Sequence, residues 1–226
     1  TNILQKGQLL LVDAGAESSN LYATDITRTI PVSGKFSDVQ KDIYNIVLDA
    51  QIEAIKNIRP GIKYIDIHQK AAKKISEGLI NLKLLKGNID YILKECIYAL
   101  FFPHGIGHLM GLDVHDMENL GENLIGYNDE ISRSEKFGLK YLRYAKELEA
   151  GNVITVEPGI YFNKYLIEKW KKEGKFKDFI NYERLEKFYG FGGIRIEDDI
   201  LVTPEGARIL GKPIPKKIEE IENIMN

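Results

Sequence analysis

The chain has 226 residues, 44% hydrophobic and 28% charged, with 31 Lys and Arg against 33 Asp and Glu for a formal charge of −2; this is the balance of a globular protein with a sizeable core. Near-neutrality gives no long-range attraction for nucleic acid or anionic lipid, and no apolar run approaches the ~20 residues of a membrane span. One cysteine, Cys96, cannot close an internal disulfide, and TNILQKGQ carries no signal pattern, so the expected compartment is the cytoplasm.

Gln8 to Asp13, QLLLVD, is too short and apolar for a helix and reads as a buried strand ending in an acid. Tyr22 to Ile30 alternates, placing Asp25, Thr27 and Thr29 on one face and Ile26, Arg28 and Ile30 on the other. Ser37 to Gln40 has the form of a capping box, and Val39, Ile43, Ile46, Val47, Ala50, Ala54 and Ile58 follow at helical spacing until Pro60-Gly61. A second helix is expected from about Asp66 to between Leu84 and Gly87. His68, in its first turn, is expected in solvent. Asn88 to Tyr98 reads as a short helix, with Cys96 as a small core residue.

Phe101 to Asp116, FFPHGIGHLMGLDVHD, holds three of the four histidines: His104, His108 and His115. Neutral imidazole is the commonest transition-metal ligand, and Gly105, Gly107 and Gly111 allow close backbone approach. A polar excursion follows from Met117 to Gly138. Asn152 to Phe162 is a β-branched strand with Glu157 among apolar neighbours, bent at Pro158-Gly159; a glutamate there is costly unless paired. Lys164 to Tyr189 reads as a charged, partly helical insertion. Gly192 to Val202 is a strand with Arg195 and Glu197 on one face and Ile194, Ile196 and Asp198 on the other. A turn at Thr203 to Gly206 precedes a helix opened by Pro215, striped by Ile218, Ile221, Ile224 and Met225. Without repeats or linkers, residues 1–226 read as one α+β domain with antiparallel strands.

Four strand-borne acids, Asp13, Asp25, Glu157 and Glu197, together with His108 make the inventory of a two-metal site. Oxygen-rich ligands with one nitrogen suit Mn²⁺, Fe²⁺, Co²⁺ or Zn²⁺ better than copper, and excess carboxylates allow bridging.

The motifs DAGAE, YATDITRT, FFPHGIGH, GLDVHD, TVEPGIY and GGIRIEDD, in that order, resemble those of the pita-bread metallopeptidases. The resemblance runs from about Leu9 to Pro215 and is narrowest to aminopeptidase P and the Xaa-Pro dipeptidase (prolidase). It implies that Asp13 chelates one metal, Asp25 and Glu197 bridge, and His108 and Glu157 hold the second. His115 would touch the substrate or the tetrahedral centre, His104 would line the substrate pocket, and Arg195 would clamp a ligating carboxylate. It further implies two divalent cations, Mn²⁺ first with Co²⁺, Zn²⁺ or Fe²⁺ as alternatives, and hydrolysis of Xaa-Pro bonds in proline-containing peptides. The nucleophile would be a water activated by the metals, with Glu157 as proton acceptor. A homo-oligomer is implied for the full-length protein. Prolidase activity, or a truncated metal-binding remnant serving as a peptide-binding module, is the alternative.

Two departures from the family stand out. Asp13 and Asp25 lie one residue further apart than in many members, the extra residue falling in the Glu17 to Leu21 turn. The usual N-terminal domain and the first helix and strand of the catalytic domain do not precede Thr1, so the sequence reads as an N-terminally truncated catalytic domain.

Overall fold

The computed structural model describes residues 3–225. Strand β1 (Leu9–Ala14) turns back on β2 (Ile26–Pro31), the two antiparallel in unbroken register with Asp13 opposite Thr27. The strands are joined by a turn in which the Ser18 N–H bonds the Tyr22 carbonyl at 2.9 Å and Leu21 takes φ 67°. β1 is not the buried strand expected from its composition. Its first three residues are half-buried and its last three exposed, because β2 is its one ladder partner among the described residues.

Helix α1 (Asp38–Asn57) begins at the predicted capping box: the Gln40 N–H donates to Ser37 Oγ at 3.3 Å and the Ser37 N–H to Gln40 Oε1 at 2.9 Å. Helix α2 (Tyr64–Asn81) starts earlier than expected and stops sooner, since Lys83 adopts a left-handed φ of 60° and Leu85 bridges to Ile180 instead. The two helices press together at Gly78, where a Cβ would sit 2.5 Å from Ile46 Cγ1. Their inner faces bury Ile43, Val47, Ala50 and Ala54 from α1 and Ile67, Ala71, Ile75 and Leu79 from α2, each large aliphatic contributing ~1.5–3 kcal/mol by leaving water.

His68 is a correction: it is buried, not solvated. It follows Tyr64 and precedes Ala72 by one turn each, on the stripe facing the core, where its ring stacks on Phe102 (centroids 5.1 Å, 25°) and Nε2 meets Tyr98 Oη at 3.0 Å. Burial lowers its pKa to about 3, so it is neutral.

The expected helix from Asn88 divides into α3 (Ile89–Lys94) and a 3-10 turn (Ile97–Leu100), joined at the buried Cys96 with φ 52°. The polar excursion contains only the short α4 (Glu122–Gly126) and single turns. The two long strands predicted downstream are each broken. Pro158 splits the first into β3 (Val153–Val156) and β4 (Gly159–Tyr161); the second becomes β5 (Gly193–Arg195) and β6 (Asp198–Thr203). β4 pairs with β5, while β3, β6 and β7 (Gly206–Ile209) form an antiparallel sheet. Between β4 and β5 lie α5 (Lys164–Lys172) and α6 (Tyr182–Leu185). The closing helix α7 (Ile218–Met225) buries Ile218 and Ile221 but leaves Ile224 and Met225 exposed, so only half of its stripe packs.

The breaks in those strands stitch the sheets together. The Glu197 N–H bonds the Thr27 carbonyl at 3.0 Å, and Thr29 Oγ1 both donates to the Arg195 carbonyl and accepts its N–H, at 3.0 and 3.1 Å. On the other side residues 106–110 run along β3, with Glu157 N–H to Ile106 O at 2.8 Å, Thr155 N–H to His108 O at 3.0 Å and Met110 N–H to Val153 O at 3.0 Å. Gly107 permits that approach: a Cβ there would lie 2.7 Å from Thr155 Oγ1.

Candidate metal centre

Five chain segments converge on a cavity of about 350 Å³. The end of β1 brings Asp13, the entrance to β2 Asp25, the histidine-rich stretch His104 and His108, the end of β3 Glu157, and the β5–β6 junction Arg195 and Glu197. The convergence expected from sequence is therefore present. Asp25, His108 and Glu197 each offer a donor atom within 4.8 Å of the others'. His108 Nε2 is 3.6 Å from Asp25 Oδ2 and 3.7 Å from Glu157 Oε1.

The histidines are held by their second nitrogens. His108 Nδ1 lies 3.0 Å from the Leu109 carbonyl, which can only accept, so Nδ1 carries a proton and Nε2 is the nitrogen turned to the acids. His104 Nδ1 likewise donates to the Gly105 carbonyl at 2.7 Å, and its Nε2 accepts from the Tyr161 hydroxyl at 3.0 Å. Burial depresses the His104 pKa to about 4. His115 stands at the cavity mouth, 46% exposed, its ring edge-on to His108 at 4.3 Å and Nδ1 3.8 Å from Glu118 Oε2. It lies outside the closest donor group.

Arg195 runs through the acids. It pairs with Asp13 through Nη2, donates from Nη1 to Tyr161 Oη at 3.1 Å and from Nε to Thr27 Oγ1 at 3.0 Å, and passes 3.7 Å from Glu197 Oε2. One guanidinium does not balance the site. Burial, with the Glu157 charge added, pushes Glu197 up to about 9; burial also pushes Glu157 up to about 7, against the pull of His108. The His108 imidazole holds Asp25 below the usual carboxylate value, and His108 rises despite its burial because Asp25 and Glu157 face it. Glu197 Oε2 accepts the Thr27 hydroxyl at 2.5 Å, while its buried Oε1 has no partner. Carboxylates crowded this way call for cations, and an orphaned oxygen beside an imidazole nitrogen fits a divalent metal.

Several contributors were missed in the sequence. Thr27, on Asp25's face of β2, fixes Glu197. Asp199 accepts the Asp25 N–H at 3.3 and 3.2 Å, its own pKa raised to about 6 by burial; it alternates with Glu197 along the strand, which was the available signal. Tyr161, two strand steps after Glu157, ties His104 to Arg195. Tyr141 and Arg143 also line the cavity, delivered by a loop with no periodic pattern.

The fold is the pita-bread fold, and the site has the donor set of a metal centre. A histidine-to-alanine variant of Escherichia coli aminopeptidase P superposes with TM-score 0.75 at 34% identity, covering 98% of this chain and 42% of that one. The structure of Pseudomonas aeruginosa aminopeptidase PepP gives 0.74 at 33%, covering 99% and 42%. The metallopeptidase family M24 model matches residues 1–204, and the chain belongs to that family. Among curated relatives, a probable Xaa-Pro aminopeptidase of Phaeosphaeria nodorum is 41% identical over 222 residues, 98% of this chain and 46% of the relative. One from Colletotrichum graminicola is 44% identical over 216 residues, 96% and 44% respectively. The chain thus spans less than half the length of the relatives it matches.

Proposed function

We propose that residues 1–226 are the catalytic domain of a dinuclear Xaa-Pro aminopeptidase that works in the cytoplasm, as a homo-oligomer when full length. The observation that carries this is Glu197: a buried carboxylate with one unpartnered oxygen, facing Asp25, His108 and Glu157. Asp13 would hold one metal, His108 and Glu157 the other, with Asp25 and Glu197 between them, and Mn²⁺ is the first choice. When bound, the cations would supply Lewis-acid activation of water and of the scissile carbonyl.

The protein's own groups do the rest. Glu157 stands between the imidazoles, Oε1 toward His108 and Oε2 3.9 Å from His104 Nδ1, and can take a proton from the attacking water and pass it to the leaving proline nitrogen. That nitrogen is tertiary and offers no N–H, so ring shape has to be recognised. His115 at the mouth is placed to donate to the developing oxyanion. Arg195 keeps Asp13 oriented.

A dipeptidase is the second reading: Arg143 lines the same cavity, where it pairs with Glu118 at 2.5 Å and Glu122 at 3.2 Å, and would have to exchange one of them for a dipeptide's free carboxylate. The test is turnover of Xaa-Pro dipeptides against Xaa-Pro-Xaa tripeptides by the full-length protein with Mn²⁺. Cleavage of the tripeptide is expected; if neither is cut by the fully loaded enzyme, the proline-peptidase reading fails.

A further inference from the structure

Glu197 lies in the break between β5 and β6, so no strand ladder fixes its main chain. It is fixed from behind the cavity instead. Its N–H bonds the Thr27 carbonyl at 3.0 Å, and its own carbonyl accepts from Arg28 Nη1 at 2.7 Å. Arg28 projects from the face of β2 opposite Thr27 and is buried. A guanidinium has five N–H groups to place, and here each has an acceptor. Nη1 also reaches the Thr27 carbonyl at 2.9 Å, Nη2 reaches Asp198 Oδ1 at 2.6 Å and the Ile214 carbonyl at 3.1 Å, and Nε reaches the Pro215 carbonyl at 3.1 Å.

Ile214 and Pro215 belong to a strap without regular structure that joins β7 to α7. The next carbonyl, that of Lys216, accepts from the Tyr44 hydroxyl of α1 at 2.9 Å. Lys216 Nζ turns inward, 2.6 Å from Asp198 Oδ2 and 2.8 Å from Gln51 Oε1. Three consecutive carbonyls are thus bonded by buried side chains, where a surface connection would leave them to water. Pro213 and Pro215 restrict the strap further by fixing φ.

We propose that Arg28 and the strap at residues 214–216 are positioning residues for the metal centre. The strap holds the guanidinium, the guanidinium holds the carbonyls of Thr27 and Glu197, and the unpartnered Glu197 Oε1 is thereby kept in one place. Neither Arg28 nor Lys216 lines the metal cavity, so both act through Glu197 rather than on a metal. The inference rests on the metal-centre reading.

The experiment titrates metal-stripped full-length protein with Mn²⁺ by calorimetry, at a temperature where circular dichroism shows each variant folded. Arg28→Lys keeps a charge beside Asp198 but has three donors in place of the five-donor fork, and its Kd for Mn²⁺ should rise ~10–100-fold, the scale for losing a group that orients a ligand. Lys216→Met removes only the strap's inner anchor and should raise Kd less, by ~3–10-fold. Ile75→Val, a core substitution in α2, should lower the melting temperature and leave Kd unchanged. An unchanged Kd in both strap variants, or an equal rise in Ile75→Val, would overturn the positioning role and leave the cluster as an anchor of the fold alone. Should Arg28→Lys not fold, Lys216→Met decides. If wild-type protein takes up none of Mn²⁺, Co²⁺ and Zn²⁺, the metal-centre reading fails separately, and amide hydrogen exchange decides the strap: faster exchange at residues 195–199 in Lys216→Met than in wild type supports it, and equal exchange overturns it.

Discussion

Glu197 and Asp198 are adjacent and almost equally hidden, 1% and 3% exposed, yet they face opposite surroundings. Asp198 points away from the cavity. Its Oδ1 accepts from Arg28 Nη2 at 2.6 Å, and its Oδ2 from Lys216 Nζ at 2.6 Å and Gln51 Nε2 at 3.1 Å. Arg28 further donates to the carbonyls of Glu197, Ile214 and Pro215. That acid is complete within the protein. Glu197 has a single hydroxyl and a distant guanidinium, and one oxygen with nothing. The first acid holds the fold together; the second is held in readiness for a charge the polypeptide does not supply.

The largest effect that would sharpen this contrast is expected from Glu197→Gln, which keeps the volume and removes the anion. Loss of a residue that merely orients a ligand costs ~10–100-fold, so kcat/KM should fall ~10³-fold or more, with metal content reduced in elemental analysis of the purified protein. Wild-type turnover in this variant would refute the site. Asp198→Ala should act on the other side of the comparison. It strands Arg28 and Lys216 in the interior, and breaking such a pair costs ~3–5 kcal/mol, to be read as a lower urea midpoint. Retention of the midpoint would show that the cluster is dispensable.

Next in size is His115→Ala, expected to lose ~10²–10³ in rate, the scale of one oxyanion donor, while keeping its metal; His108→Ala should lose the metal itself. Equal metal loss in both would mean that the two roles are assigned wrongly. The smallest effect concerns pH. In metal-stripped protein Glu157 and Glu197 titrate near 7 and 9, above the ordinary glutamate value, so the folded chain binds more protons than the unfolded one. Their contribution to stability is full below pH ~4.5 and is lost as pH rises through 7 to 9. Melting temperatures of stripped protein should drop by at least ~2–4 °C over that interval, the equivalent of about 1 kcal/mol, and Mn²⁺ should cancel the drop. A flat or rising profile would break the account of Glu197.

Much of this contrast was legible in the sequence. Alternation along GGIRIEDD placed Arg195 and Glu197 opposite Ile194, Ile196 and Asp198, and the capping box set the start of α1. What alternation could not say was which acid already had partners, because Arg28, Gln51 and Lys216 come from three distant segments and leave no local signature. His68 was misjudged by considering it alone, although Tyr64, His68 and Ala72 share one helical stripe. The exposure of β1 was unreadable because burial depends on what pairs with a strand, not on its composition. Arg143 and Tyr141 lie in a segment whose irregularity hides any face.

The hydrogen bond from Thr27 to Glu197 spans 170 residues, and the Arg195–Asp13 pair spans 182. Contacts so far apart in sequence form late, and during synthesis the carboxylates at Asp13 and Asp25 leave the ribosome long before Glu197 exists. At ~5–20 residues per second that interval is roughly 10–35 s. The centre therefore cannot assemble on a nascent chain: until the segment from Gly193 to Asp199 arrives, the early acids stay in water as ordinary, weakly chelating side chains. Metal capture therefore has to wait until the stretch from Asp13 to Asp199 is complete, a checkpoint that no shorter nascent chain can pass.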